Sequence, residues 1–215
     1  MKIGIIAGTG AEGIGLATRF AFAGDDVIIG SRSVENAQTA AASIVQRIPS
    51  AKVTGTDNES ACRGVDLIIN ALPYQPQREV LSSLRGAIGT GLLVSTVVPV
   101  IFNKQGITVL PVEEGSAAIQ AQKVLPEARV VAAFHTLGAK HLSDYEHSMD
   151  SDVLVAGDRK EDKAIVIELA QKIKGIRGID CGPLSNSNLV ENLTVLLLNV
   201  NRVNKGTTSV RIVGI

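Results

Sequence analysis

The residues best suited to chemistry in this 215-residue chain stand near its start. Gly8, Gly10 and Gly13 form GxGxxG directly after the apolar run IGIIA (3 to 7) and at the opening of a helical pattern. There each glycine has its own use: Gly8 for a tight turn, Gly10 for close approach of backbone to a pyrophosphate, Gly13 for close packing of helix on strand. Backbone N–H groups at the helix start, with the helix dipole behind them, are suited to phosphates. Twenty-one residues beyond Gly10, a second apolar run ends in Ser31 and Arg32. A carboxylate at that place accepts from the ribose of NAD, whereas a guanidinium and a hydroxyl donate to a 2′-phosphate, with the Thr9 hydroxyl as a further donor. The pattern therefore favours NADP. Glu12 conflicts with this reading, because its charge opposes a bound pyrophosphate unless the side chain turns to solvent.

His135 is the other candidate. It follows the run ARVVAAF (128 to 134), at what would be the carboxyl end of a strand, where ligands bind in open α/β sheets. It could orient a bound ring, or it could be a turn histidine hydrogen-bonded to backbone; the residue types leave both open. His141 and His147 fall in the polar stretch HLSDYEHSMDSD and read as surface residues. There is no HExxH, CxxC or GxSxG motif, so neither a metal site nor a protein nucleophile is expected.

The elements that must position these residues alternate. Nearly continuous apolar runs at 3–7, 26–30, 65–72 and 91–98 read as strands buried on both faces, and helical periodicity fills 14–24 and 34–48 between them. Further strands are expected at 107–112, 128–136, 152–158 and 175–182, with an amphipathic helix at 160–173. A last helix, capped by Ser185 or Asn186 and reaching about residue 204, is apolar on most of its circumference and is expected to pack inside something. Within it, Asn199 and Asn201 would line a ligand cavity or bond across a subunit interface. Alternation of strand and helix implies right-handed βαβ units on a parallel sheet, a doubly wound α/β fold.

Lys plus Arg and Asp plus Glu balance at 21 each, so no summed basic field favours nucleic acid or an anionic membrane, and any anion must be caught locally. Cys62 and Cys181 are far apart and signal neither zinc nor a disulfide framework, which with the short N-terminal apolar run suggests a reduced cytoplasmic protein. Aromatic residues make up only 3%, so a flat ring would rest mainly on aliphatic surface such as Val97, Val98, Pro99 and Leu137.

With the cradle, GSR at 30 to 32, LPY at 72 to 74, VVPV at 97 to 100, FHT at 134 to 136 and GPLSNSNLVENLT at 182 to 194 in order, the chain resembles the F420-dependent NADP reductases nearly end to end. The resemblance implies hydride transfer between the deazaflavin coenzyme F420 and NADP, a Rossmann-like domain over 1–136, a small carboxy-terminal α/β portion over 137–215 ending in a long helix, and a homodimer. It further implies that Thr9, Gly10, Ala11 and Glu12 hold the pyrophosphate and Ser31 and Arg32 the 2′-phosphate. Tyr74, Val98 and Ala139 would then lie toward the nicotinamide, and His135 and Leu137 near the deazaflavin. Lys140, Arg202 and Arg211 could supply charge for the F420 phosphate and tail. The chain departs from the family pattern at Asn36, where a lysine is common, at Gly138, in HTLGA where HTIPA is common, and after Gly206. Two other readings compete: an NADPH-dependent reductase of a small C=O or C=N substrate, for which the 80 residues after His135 leave little room to build a pocket, and a non-catalytic NADP(H) sensor.

Overall fold

Runs such as IGII and LLVS cannot leave either face in water, and both are paired on two sides in the computed structural model of the protein, which describes residues 1–104 and 106–215. In chain order the elements begin with β1 (Lys2–Ile6), α1 (Ala11–Phe22), β2 (Asp26–Ser31), α2 (Val34–Arg47), β3 (Lys52–Asp57), α3 (Asn58–Ala61) and β4 (Leu67–Asn70). Next come α4 (Tyr74–Ser83), α5 (Arg85–Ile88), β5 (Leu92–Ser95), β6 (Val100–Asn103), β7 (Gly106–Val109), α6 (Ala117–Val124) and β8 (Arg129–Ala132). The chain continues through α7 (Ala139–Ser143), β9 (Ser151–Gly157), α8 (Lys160–Gln171), β10 (Ile176–Asp180), a single 3-10 turn and α9 (Ser187–Asn204).

Among the described residues, eight strands form one sheet in the order β10-β9-β8-β5-β4-β1-β2-β3. Neighbours are parallel except β8 and β9. The fold is Rossmann-like, with apolar side chains packed on both faces of the sheet: Leu16 and Phe20 of α1 on one, Leu81, Leu84 and Ala118 on the other. Each fully buried side chain of this size contributes about 1.5–3 kcal/mol relative to exposure. α1 begins three residues earlier than its apolar periodicity suggests and ends two residues earlier. Gly24 at φ +91° ends it, its N–H donating to Ala21 O and that of Asp25 to Phe20 O, both at 3.0 Å.

Three departures from the sequence pattern concern the site. The segment 107–112 does not join the sheet; β7 pairs only with β6, in an antiparallel hairpin. Polar β3, with α4 and α6, is invisible to a search for continuous apolar runs. α9 is not enclosed: it buries Val190, Glu191, Thr194 and Val195 but leaves Leu189, Leu196 and Val203 at 63%, 59% and 69% exposure. Asn186 does not cap it, since its amide donates instead to Cys181 O at 2.7 Å. Among the described residues no helix is long and apolar enough to cross a membrane.

Candidate active site

The central strands end together, and the loops leaving them are stitched to neighbouring strands one or two residues beyond the strand end. Gly8 N–H donates to Gly30 O at 2.8 Å, Ala71 N–H to Ile6 O at 3.1 Å, Thr96 N–H to Asn70 O at 3.2 Å and Ala133 N–H to Ser95 O at 3.1 Å. From β1 the chain winds to β2 and β3 on one side and resumes with β4 on the other. The loops after β1 and β4 therefore diverge, and a crevice opens between them at the carboxyl edge of the sheet.

The glycine loop lines that crevice. Its left-handed residue is Ala7 at φ +54°, whose N–H is held by Asn58 Oδ1 at 2.9 Å, so the tight turn does not rest on Gly8 adopting a positive φ. Gly8 is needed for space: a Cβ there would lie 3.1 Å from Ile5 and Ile29. Gly13 packs as its spacing predicts, since a Cβ would fall 2.7 Å from Gly8 Cα. Gly10, the N-cap of α1, faces open space, and no side chain caps the helix, so its first N–H groups point into the crevice. Thr9 is half-buried and Ala11 exposed beside it. At the end of β2, Ser31 is buried with its Oγ accepting from Ser33 N–H at 3.2 Å. Arg32 is exposed, and no carboxylate among the described residues pairs with it.

Glu12 does not turn to solvent. It keeps some accessible surface, but its carboxyl group is enclosed by protein and hydrogen-bonded to the Thr96 side chain, just past β5; burial pushes its pKa up to about 8. At neutral pH the group is mostly protonated, which removes the conflict with a pyrophosphate.

On the other side of the crevice, Tyr74 opens α4 and its hydroxyl accepts from Gln120 Nε2 at 3.0 Å. Gln120 Oε1 accepts from Gln77, whose own Oε1 accepts from Asn70 at 2.9 Å. Val97 is buried and Val98 half-buried after β5. After β8, Phe134 adopts φ +70°, a strained conformation for a bulky residue, and its carbonyl accepts from Leu137 N–H at 3.2 Å. His135 sits within this turn, 5% exposed, and neither ring nitrogen has a hydrogen-bond partner among the described residues. The turn-histidine reading is therefore set aside. Burial lowers the His135 pKa to about 4, so the ring is neutral, with one donor and one acceptor. The Ser95 hydroxyl is likewise buried and unpaired. A side-chain-free cradle, a free guanidinium and two unpaired polar groups along one edge fit a dinucleotide with a second polar ring beside it.

Two buried charged groups, Arg19 and Glu191, hold distant segments together. Arg19, 2% exposed, donates to the carbonyls of His141, Leu142, Asp144, Tyr145 and His147 at 2.6–3.1 Å, which ties the segment following Ala139 to α1. Glu191 serves another helix: its carboxylate accepts from Ala117 and Ala118 N–H at 2.9 and 3.1 Å, and burial raises its pKa to about 7. Asn199 and Asn201 both make hydrogen bonds within the chain. Asn199 clasps the backbone of Ile107, and Asn201 Oδ1 accepts from Thr208 N–H at 2.6 Å. Arg211 is spent on Asp150 and Asp152 rather than left for a ligand.

Residues 2–99, which contain the cradle, Ser31, Arg32, Tyr74 and Val98, match the family model described as NADP oxidoreductase coenzyme F420-dependent. The F420-dependent NADP reductase of Methanothermobacter thermautotrophicus is 38% identical over 211 residues, covering 95% of this chain and 91% of that one. The chain belongs to the F420-dependent NADP reductases. The enzyme of that name from Methanocaldococcus jannaschii is also 38% identical, over 96% of both chains. A crystal structure described as a candidate F420-dependent NADP-reductase from Arthrobacter sp. fb24 superposes over the full length of both chains, with TM-score 0.84 and 25% identity. The family's enzymes are oxidoreductases that use NADP(H) and coenzyme F420.

Proposed function

We propose that this reductase passes a hydride directly between NADP(H) and F420, without a protein nucleophile or metal. Bound together, the two cofactors supply donor and acceptor; the chain's own residues bind, align and exclude water. Gly8, Thr9, Gly10, Ala11, Glu12 and Gly13 cradle the pyrophosphate, with Glu12 protonated. Ser31 and Arg32 take the 2′-phosphate, and Tyr74, Val98 and Ala139 flank the nicotinamide. Leu137 gives an aliphatic floor to the deazaflavin, and the neutral His135 ring donates to it. The observation that carries this reading is His135, a buried imidazole without a protein partner, on the same sheet edge as the glycine cradle.

Residues 1–136 act as the NADP-binding domain, and 137–215 complete the F420 side. Leu189, Leu196 and Val203 recur every seven residues along one exposed stripe of α9, the spacing of a helix seam, which supports a homodimer of cytoplasmic protein joined there. The test is to mix the protein with oxidised F420 and NADPH, or NADH, and follow the deazaflavin absorbance. Bleaching with NADPH and much less with NADH is the expected result; no bleaching with either overturns the reading.

A further inference from the structure

The tail after α9 turns back toward the site. α9 ends at Lys205 with φ +52°, and Asn201 holds the reversal through its backbone oxygen, which accepts from Gly206 N–H at 3.2 Å, as well as through its side-chain bond to Thr208. Residues 207–210 are half-buried, and the Thr208 hydroxyl is buried without a partner. The tail then crosses the start of β9. Because β9 runs against β8, that start lies at the same edge as the carboxyl ends of the parallel strands.

Asp152 anchors it there. Fully buried, Asp152 accepts from Arg177 Nε and Nη2 at 2.8 Å each and from the tail's Ile212 N–H at 2.6 Å, while its own N–H donates to Val210 O at 2.7 Å. Such bidentate, charge-assisted bonds are among the strong ones in proteins. The Thr136 hydroxyl, next to His135, reaches Asp152 O at 3.4 Å.

What the tail touches is Gly138. A Cβ on Gly138 would lie 2.5 Å from Thr207 Cγ2, the one contact within 4 Å among the described residues other than its chain neighbours. The Gly138 backbone, at φ −72° and ψ 126°, is open to any residue. What opposes a side chain at 138 is therefore the Thr207 methyl, which would have to shift to admit one.

We propose that Thr207 is a positioning residue: seated on Gly138 and held there by the Asp152 anchor, it sets where residues 137–139 stand against the two cofactor rings. This rests on the reading that those residues border the deazaflavin and the nicotinamide.

The test is a double-mutant cycle. Gly138→Ala forces a Cβ into the Thr207 methyl; Thr207→Ser deletes that methyl. With F420 and NADPH, Gly138→Ala is expected to raise KM for F420 or lower kcat by about tenfold, as overpacking does. Adding Thr207→Ser to Gly138→Ala should recover most of the loss. Hydrogen exchange at the amides of 208 and 212 gives a second readout: faster in Gly138→Ala, restored in the double variant, and faster in Asp152→Asn. Failure of Thr207→Ser to rescue, or a Gly138→Ala protein with parental kinetics, overturns the proposal. Parental protein that shows no F420 turnover, yet still shows rescue of exchange in the double variant, would sink the functional reading and leave the contact standing.

Discussion

Arg19 Nη2 donates to the carbonyl oxygen of Asp144 at 2.6 Å, across 125 positions of sequence. It is one of five carbonyls gathered by a single guanidinium that projects from the helix whose start forms the cradle. One helix thus opens at the glycine loop and pins the segment beyond Ala139. Arg19→Lys has three donors for five acceptors, and the part-buried carbonyls left over should cost about 1–3 kcal/mol. Urea unfolding should show a lower midpoint with unchanged slope; a midpoint equal to the parent's would show that the carbonyls find other partners.

Glu12 makes the protein sensitive to alkali. Its folded pKa of about 8 lies above the ordinary 4.5, so its contribution to stability is complete below 4.5 and is lost as pH rises through 8. Glu12→Gln should melt like the parent at pH 5 and above it at pH 9. NADPH affinity should likewise fall from pH 6 to 9 in the parent and much less in the variant, measured by fluorescence titration. Equal pH dependence in both would mean that the carboxyl group is not beside the phosphates.

Arg32→Ala should raise KM for NADPH by about 10- to 100-fold, the worth of hydrogen bonds to a charged group, and leave KM for NADH nearly unchanged. Equal losses with both nucleotides would place Arg32 outside the 2′-phosphate site. Asn36→Lys should strengthen the preference for NADPH by the same assay.

His135 is neutral above about pH 4, a depressed value, so its contribution to stability is present above 6.5 and is lost as pH falls through 4. Between pH 5 and 8 the rate should show no break that disappears in His135→Gln. His135→Ala should raise KM for F420 while sparing that for NADPH; unchanged constants for both would end its role at the ring.

Leu196→Asp places a charge in the middle of the exposed α9 stripe. Sedimentation velocity should then show a species of half the parental mass. Monomeric parental protein, or a variant with the parental mass, would remove this stripe of α9 as a dimer interface.

The glycine cradle, Arg32 and the alternation of strand and helix are legible in the sequence because each depends on neighbours within about 20 residues: a turn, a helix start, a strand end. Glu12 shows the limit. Its position at the helix start can be read, but its protonation depends on enclosure beside Thr96, a strand distant in sequence. His135 could be placed at a strand end, yet only packing shows that both its nitrogens lack partners. The intrachain bonds of Asn199 and Asn201 are equally illegible, because an apolar helix gives no hint that a hairpin and a returning tail lie against it.

By itself the sequence determined the parallel α/β class, the cradle and the cation at the end of β2, since local conformational preference and apolar burial act along the chain. Tertiary structure alone decided that 106–109 leaves the sheet for a hairpin, that Arg19 and Glu191 serve segments 122 and 73 residues or more away, and that Thr207 meets Gly138. Those outcomes rest on hydrogen-bond satisfaction and close packing between distant segments, and the partners are brought together only once the chain has folded.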